Sequence, residues 1–298
     1  DGTLVRRTAC IVRATAGGAE LADDEAGQLA DALDRLGFSG SAVVMVPPRQ
    51  VLCSSVLDLP PRTSGAPVEK IAMGELAGRH RIDPDRAELA HWSTGEPGSR
   101  NGTERIIAVA CAHDAAEECI APLERAGLQV VGIIPPAIAL KNGMSSERSH
   151  HVALDLGWSS ARIILVRDGV VIFDRAMQDG GLGRVFERAG VALGVRSEAV
   201  EAAGLREDSP IAGIVAGEFD GLCRDIRRGI DEALGYGSKS VRIEAPIELC
   251  GGGAEISRFV ARLGSAIGRE VKPAEPAIRD ARLSPSYTSA LGAARSKP

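Results

Sequence analysis

Aromatic side chains are scarce. Five Phe, two Tyr and two Trp make up 3% of the 298 residues, too few for the stacked-ring platforms that grip single-stranded nucleic acids. A basic excess is lacking too. Lys and Arg number 35 against 40 Asp and Glu, a net charge of -5, whereas nucleic-acid binders need clustered positive charge. No nucleic-acid partner is expected. Cys10, Cys53, Cys111, Cys119, Cys223 and Cys250 form no CxxC pair and sit mostly in apolar runs, so they read as small buried hydrophobes in a reducing compartment. The histidines are scattered apart from His150 and His151, and no further ligand stands at metal-site spacing from that pair. No run approaches the roughly 18–20 apolar residues of a membrane span, and no signal-peptide pattern is visible. A cytoplasmic protein with no direct membrane insertion is expected, with the Asn101-Gly102-Thr103 sequon a loop tip.

What is present is the balance of a globular protein, 44% hydrophobic and 25% charged, on a chain long enough for two domains. Strand-like and helix-like patterns alternate, which indicates an α/β or α+β architecture. A helix over 21–37 starts on acidic residues, carries Leu29, Leu33 and Leu36 on one face, and stops at Gly37. Two strands follow around a Pro-Pro-Arg-Gln turn, then a helix at about 68–80 and a strand through Leu89 to Trp92. After a loop over 95–103 come the strand RIIAVACA and a helix capped by Asp114, with Ala116, Cys119, Ile120 and Leu123 facing inward. The polar run 141–150 reads as a linker between halves. Beyond it lie strands at 151–156, 161–167 and 170–176, the last two joined by the hairpin signal Asp168-Gly169. Helices at about 184–193 and 217–235 follow, the second burying Phe219, Leu222, Cys223, Ile226 and Ile230. A strand IELC, a helix with Ile256, Phe259, Val260 and Leu263 inward, and a short helix from about Tyr287 close the chain.

Three glycine sites punctuate the second half. Asp155-x-Gly157-Trp158-Ser159-Ser160 lies between adjacent strands, where turn amides and serine hydroxyls can hold an anion and a carboxylate can hold hydrated Mg2+. Gly180-Gly181-x-Gly183 leaves a strand before a helix, whose amino terminus favours an anion. Gly251-Gly252-Gly253-Ala254 again joins strand to helix and permits close approach of a flat ligand. Each site alone is more simply read as a plain turn or helix start, and no Gly-x4-Gly-Lys-Ser/Thr loop occurs. Their order is more telling: hairpin with Asp-x-Gly, Gly-Gly before a helix, then Gly-Gly-Gly after a strand. An internal likeness accompanies it. RDGVVIFDRA (167–176) matches the opening DGTLVRRTA (1–9), so Asp1 would correspond to Asp168. The repeat predicts that on the order of 15 to 25 residues precede Asp1.

In these motifs the chain resembles the actin-like ATPase superfamily, and within it the PilM proteins of type IV pilus assembly, relatives of FtsA and of the GspL cytoplasmic domain. HVALDLGWSSARIILVRDGVVIFDRAMQDGG is similar to the second phosphate motif, IELCGGGAEISRFVARLGSAIGREVKPAEP to the adenosine motif, and SPSYTSALGAAR to the returning final helix. The segment from about 48 to 140 resembles the subdomain that PilM and FtsA insert. The resemblance implies an α/β fold of duplicated actin-like, RNase H-like type with an inserted α+β subdomain in its first half. Residues 1–47 would form the first half, 48–140 the insertion and 141–298 the second half.

It further implies that Asp155, Gly157, Trp158, Ser159 and Ser160 face the phosphates, with Mg2+ at Asp155 through water. Gly180 and Gly181 would lie near phosphate or ribose, Glu198 over the nucleoside, and Gly251, Gly252, Gly253 and Ala254 against adenosine. Two departures point toward weak or lost ATP binding. The family's first phosphate motif, an Asp-x-Gly hairpin in the first half, is absent, and Val200 and Ala203 stand where the family carries a second carboxylate and a lysine; Trp158 is also bulky for a phosphate turn. The function implied is a cytoplasmic ATP-binding adaptor, peripheral to the inner membrane, that captures the amino-terminal peptide of a bitopic PilN-like protein and is at most a slow ATPase. Homo-oligomerisation stays open. The alternatives are a small-molecule kinase of the superfamily and an FtsA-like division protein, although the tail lacks the basic amphipathic helix of the latter.

Overall fold

The structure, a computed structural model, describes residues 21–99, 102–145, 150–177, 180–204, 209–236, 246–277 and 284–296. The opening segment that matches 167–176 lies outside them. The chain divides at Ala139/Leu140 and again at Gly292/Ala293 into two units, the residues of one preceding and following Leu140–Gly292.

In the first unit, helix α1 spans Asp23–Arg35, shorter than expected at both ends, with Gly37 in the left-handed stop conformation. Leu36 is 48% exposed instead of joining the apolar face. Strands β1 (Ala42–Met45) and β5 (Gln129–Ile133) pair in parallel. Strands β2 (Leu52–Leu59), β3 (Ala87–Pro97) and β4 (Glu104–Ala112) form an antiparallel sheet in the order β2-β4-β3. Helix α2 (Val68–His80) sets Val68, Ala72 and Leu76, four residues apart, against Leu57, Leu59, Ile106, Ala108 and Ala110 on one sheet face. Strand β3 runs well past the expected Leu89–Trp92 and takes in residues 95–97 of the expected loop, because the Thr94 hydroxyl donates to the Arg105 carbonyl and holds the strand down. Helix α3 (His113–Arg125) begins without a side-chain cap, Ala112 occupying the cap position. Asp114 does not cap; it takes the Arg86 guanidinium at 2.5 Å. Helix α4 (Pro136–Gly143) runs across the division and includes the first three residues of the expected linker, and within the second unit Met144 bridges to Pro276.

The second unit is built on a five-stranded sheet ordered β10-β9-β6-β7-β8. Its strands are β6 (His150–Leu156), β7 (Ala161–Arg167), β8 (Val170–Met177), β9 (Ile247–Cys250) and β10 (Val271–Pro273). Strands β6, β7 and β8 form the expected meander, and Asp168 and Gly169 both take positive φ in the hairpin between β7 and β8. Strands β9 and β10 run parallel to β6. The carboxyl ends of β6, β8, β9 and β10 therefore lie along one edge, the usual ligand edge of an open α/β sheet.

One sheet face carries Val152, Leu154, Leu156, Ala161, Ile163 and Leu165 into the core. Against it pack α5 (Leu182–Leu193), α7 (Ala212–Tyr236) and α8 (Ser257–Ile267), with α6 (Ser197–Gly204) beside α5 and α7. The α7 residues Phe219, Leu222, Cys223, Ile226 and Ile230 are buried as their spacing predicts, and burial pushes the Cys223 thiol up to about 12. Gly229 lets α7 close on the sheet: a Cβ there would lie 2.5 Å from Ile163 Cδ1. Phe219 meets Phe186 edge-on at 6.1 Å and Phe259 at 5.3 Å. Helix α9 (Thr288–Arg295) ends the described chain. Phe259→Ala should cost about 3–5 kcal/mol of stability, read as a lowered urea midpoint; an unchanged midpoint would show that the triple-ring contact does not hold the core.

Candidate functional site

Strand β6 ends on Asp155 and Leu156, and the next four residues turn the chain into β7. The Gly157 amide donates to the Ser160 carbonyl at 3.0 Å, closing the turn. The turn is fastened from behind by α5. The amides of Leu182 and Gly183, the first two of that helix, donate to the carbonyls of Gly157 at 3.0 Å and Trp158 at 2.8 Å. A helix start leaves its first amides without intrahelical acceptors, and here the turn supplies them. Those two amides are consequently closed to an anion, contrary to the role suggested by the glycines before them. The carbonyls of Gly157, Trp158 and Ser160 are all engaged, which leaves the amides of Trp158, Ser159 and Ser160, the two serine hydroxyls and the Ser159 carbonyl, a set of mostly donors of the kind that suits an anion.

Gly181 is required by this docking. A Cβ there would lie 2.2 Å from the Trp158 carbonyl oxygen and 2.4 Å from the Ser159 carbonyl carbon. At Gly183 a Cβ would stand 2.7 Å from Trp158 Nε1, so the indole lies across the first turn of α5. It stacks on Phe186 at 5.6 Å and 18° and remains 38% exposed. The bulk of Trp158 is accommodated by these two contacts. Gly180 packs on Met177 and Ala161, at the ends of β8 and β7.

Strand β9 delivers the third glycine site beside the first, since Asp155 and Cys250 are register partners. Gly251 has φ +75°, and a Cβ on it would meet the Leu156 carbonyl at 2.5 Å and Asp155 Oδ1 at 2.6 Å. Gly253 lies against Leu156, and Gly252 faces open space. Gly252 to Glu255 form a short 3-10 turn with Ala254 buried. Hydrogen bonds from the Ser284 and Ser286 hydroxyls hold the Glu255 carboxyl below its usual range.

Asp155 is the one acid among the singled-out residues of this edge. As a residue it is partly exposed, but protein atoms surround it closely enough that desolvation pushes its carboxyl above the usual 3.8. The hydrogen bond from Ser289, at 3.3 Å, and the charge of Arg162 pull the other way. Arg162 stands opposite Asp155 across β6 and β7, with its guanidinium engaged by Asp174 of β8. Ser289 and Arg162 were not among the expected site residues. Arg162 could have been read from hairpin register; Ser289 arrives from α9 and has no local signal. Glu198 stands exposed on α6, a helix packed chiefly on α5 and α7.

The edge thus gathers Asp155, the Gly157–Ser160 turn, Gly180, Gly181 and Gly251 to Ala254. Among the described residues no three His, Cys, Asp or Glu side chains form a metal cage. A single carboxylate beside donor-rich backbone instead fits a hydrated Mg2+ that takes further ligands from phosphate. Nor is any helix among the described residues long and apolar enough to cross a membrane.

No family model matches the sequence, and no curated protein matches it. Solved structures do. A chain of a PilM-PilN type IV pilus biogenesis complex superposes with a TM-score of 0.69 at 17% identity, over 91% of this chain and 85% of that one. Ethanolamine utilization protein EutJ from Carboxydothermus hydrogenoformans gives 0.47 at 17% identity over 60% of each chain. The cytoplasmic domain of EpsL, an inner membrane component of the type II secretion system of Vibrio cholerae, gives 0.39 at 14% identity over 56% of this chain and 60% of that one. The first likeness is one of fold: the chain has the α/β actin-like fold, and its resemblance to PilM holds at that level.

Two expectations follow from the geometry. Gly181→Ala should cost about 2–3 kcal/mol, because neighbouring backbone must move, whereas Gly252→Ala should be near neutral; equal urea midpoints for the two would contradict the docking of the turn on α5. Asp155→Asn should stabilise the protein at neutral pH. The folded-state carboxyl is raised, so the folded chain holds a proton the unfolded one has lost, and stability falls as pH rises from 3.8 through the folded value. The advantage of the variant over wild type should grow across that window and be absent below it; a pH-independent difference would rule this out.

Proposed function

We propose that this chain is a nucleotide-binding, actin-like adaptor of a type IV pilus or a related secretion assembly on the inner membrane. One observation carries the reading: the fold likeness to the PilM-PilN structure runs over 91% of the chain. ATP with Mg2+ is the ligand it suggests. Asp155 would hold the ion through water, with the turn at Gly157, Trp158, Ser159 and Ser160 and the glycines 180 and 181 around phosphate. Gly251 to Ala254 and Glu198 would meet the nucleoside. Support comes from the donor-rich turn, the adjacent carboxylate and the open flank of Gly252. With Val200 buried and the first two amides of α5 already bonded, affinity would be modest and hydrolysis slow at most.

The partner in this reading is a PilN-like bitopic protein whose amino-terminal peptide the adaptor captures. The three-stranded sheet with α2 and α3 would belong to an inserted subdomain over 48–140, between a first half at 1–47 and a second half at 141–298. The adaptor would sit in the cytoplasm, held to the membrane by that partner.

Calorimetry on the full-length protein tests both claims. ATP with Mg2+ should bind in the micromolar range and Asp155→Ala should lose binding. A synthetic amino-terminal peptide of the adjacent membrane protein should also bind. Failure of the peptide together with phosphoryl transfer to a small acceptor would replace the adaptor with a kinase.

A further inference from the structure

The stretch from Ser284 to Ser289 is fastened to two parts of the glycine edge, the Gly251–Glu255 segment and Asp155. The hydroxyls of Ser284 and Ser286 hold Glu255, and the Pro285 carbonyl accepts the Gly251 amide at 3.2 Å. Thr288, buried, donates its hydroxyl to the Pro285 carbonyl at 2.7 Å. Ser289, the next residue, donates to Asp155 Oδ2 at 3.3 Å. The start of α9 has little freedom to shift, since a Cβ on Gly143 would lie 1.8 Å from the Thr288 carbonyl oxygen.

Among the described residues, Ser289 supplies the side-chain hydrogen bond to the Asp155 carboxyl. Oδ1 lies 2.6 Å from where a Cβ on Gly251 would stand, Cys250 is the register partner on β9, and Arg162 across the strand pair is engaged by Asp174. A carboxylate that is to hold a hydrated cation must present one oxygen in a fixed direction, and partners behind such a ligand fix that direction.

From this geometry we infer that Ser289 is the positioning residue of Asp155, its hydroxyl fixing the rotation of the carboxylate and through it the affinity of the edge for a divalent cation. The inference rests on the reading of Asp155 as the Mg2+ residue. Its consequence is that the last helix, far along the sequence from the phosphate turn, is part of the site.

Two measurements on the full-length protein decide it. The first is ATP affinity with Mg2+ and with EDTA for wild type, Ser289→Ala and Ser289→Thr. Loss of an outer-shell partner weakens metal binding by about tenfold or more, so Ser289→Ala should lose about tenfold with Mg2+ and nothing with EDTA. Ser289→Thr, which keeps the hydroxyl, should restore it. An unchanged Mg2+-dependent affinity in Ser289→Ala, or an equal loss with EDTA, overturns the inference. The second compares urea midpoints of wild type, Asp155→Ala, Ser289→Ala and the double variant without nucleotide. The effects should be non-additive, as for residues in contact; simple additivity overturns the pairing. Should wild type bind no nucleotide, the ATP reading falls and the midpoints alone decide whether Ser289 positions Asp155.

Discussion

The amides of Leu182 and Gly183 bonded to the carbonyls of Gly157 and Trp158 determine what the carboxyl edge of the larger sheet can be. Without acceptors the start of α5 would present bare amides to solvent, and without donors the turn would present bare carbonyls. Each satisfies the other, and the turn's remaining polar groups are mostly donors. The glycines follow from this arrangement. At Gly181 any side chain would strike the backbone of the turn, so the helix could approach only by losing those two bonds. The sequence Gly-Gly-x-Gly here serves the meeting of helix and turn as much as any ligand.

Local patterns read well wherever local physics decides the outcome. The meander of β6, β7 and β8 was visible in its alternation and in Asp168-Gly169, and α7 in its repeating apolar stripe. Helix α5 starts at Leu182, two residues before its pattern suggests, because glycines argue against helix and the capping carbonyls come from a turn over twenty residues earlier. Strand β3 ran on through Gly95 for a similar reason, its continuation depending on a side-chain bond to β4. Within the site, the three glycine segments were legible and the residues that serve Asp155 were not. Ser289 is brought to it by the path of α9, and nothing near it in sequence announces that.

The core shows how a chain so poor in rings is held together. Three of its five phenylalanines, Phe186, Phe219 and Phe259, touch in series from α5 through α7 to α8. Large side chains contribute most per residue to burial, and concentrating them at one seam lets small residues such as Gly229 bring helices close to the sheet elsewhere. Asp155, on the opposite face of β6 from the core residues Leu154 and Leu156, is a carboxylate kept where desolvation opposes its charge. Such local conflicts with stability are characteristic of sites kept for binding.

Stacked on the first of those rings is Trp158, one of only two tryptophans in the chain; the other, Trp92, lies on β3 in the other unit. Each unit therefore carries its own single indole. The protein comes with two native optical labels, one within the glycine turn and one in the three-stranded sheet. Replacing either by phenylalanine leaves a chain whose fluorescence follows one unit alone.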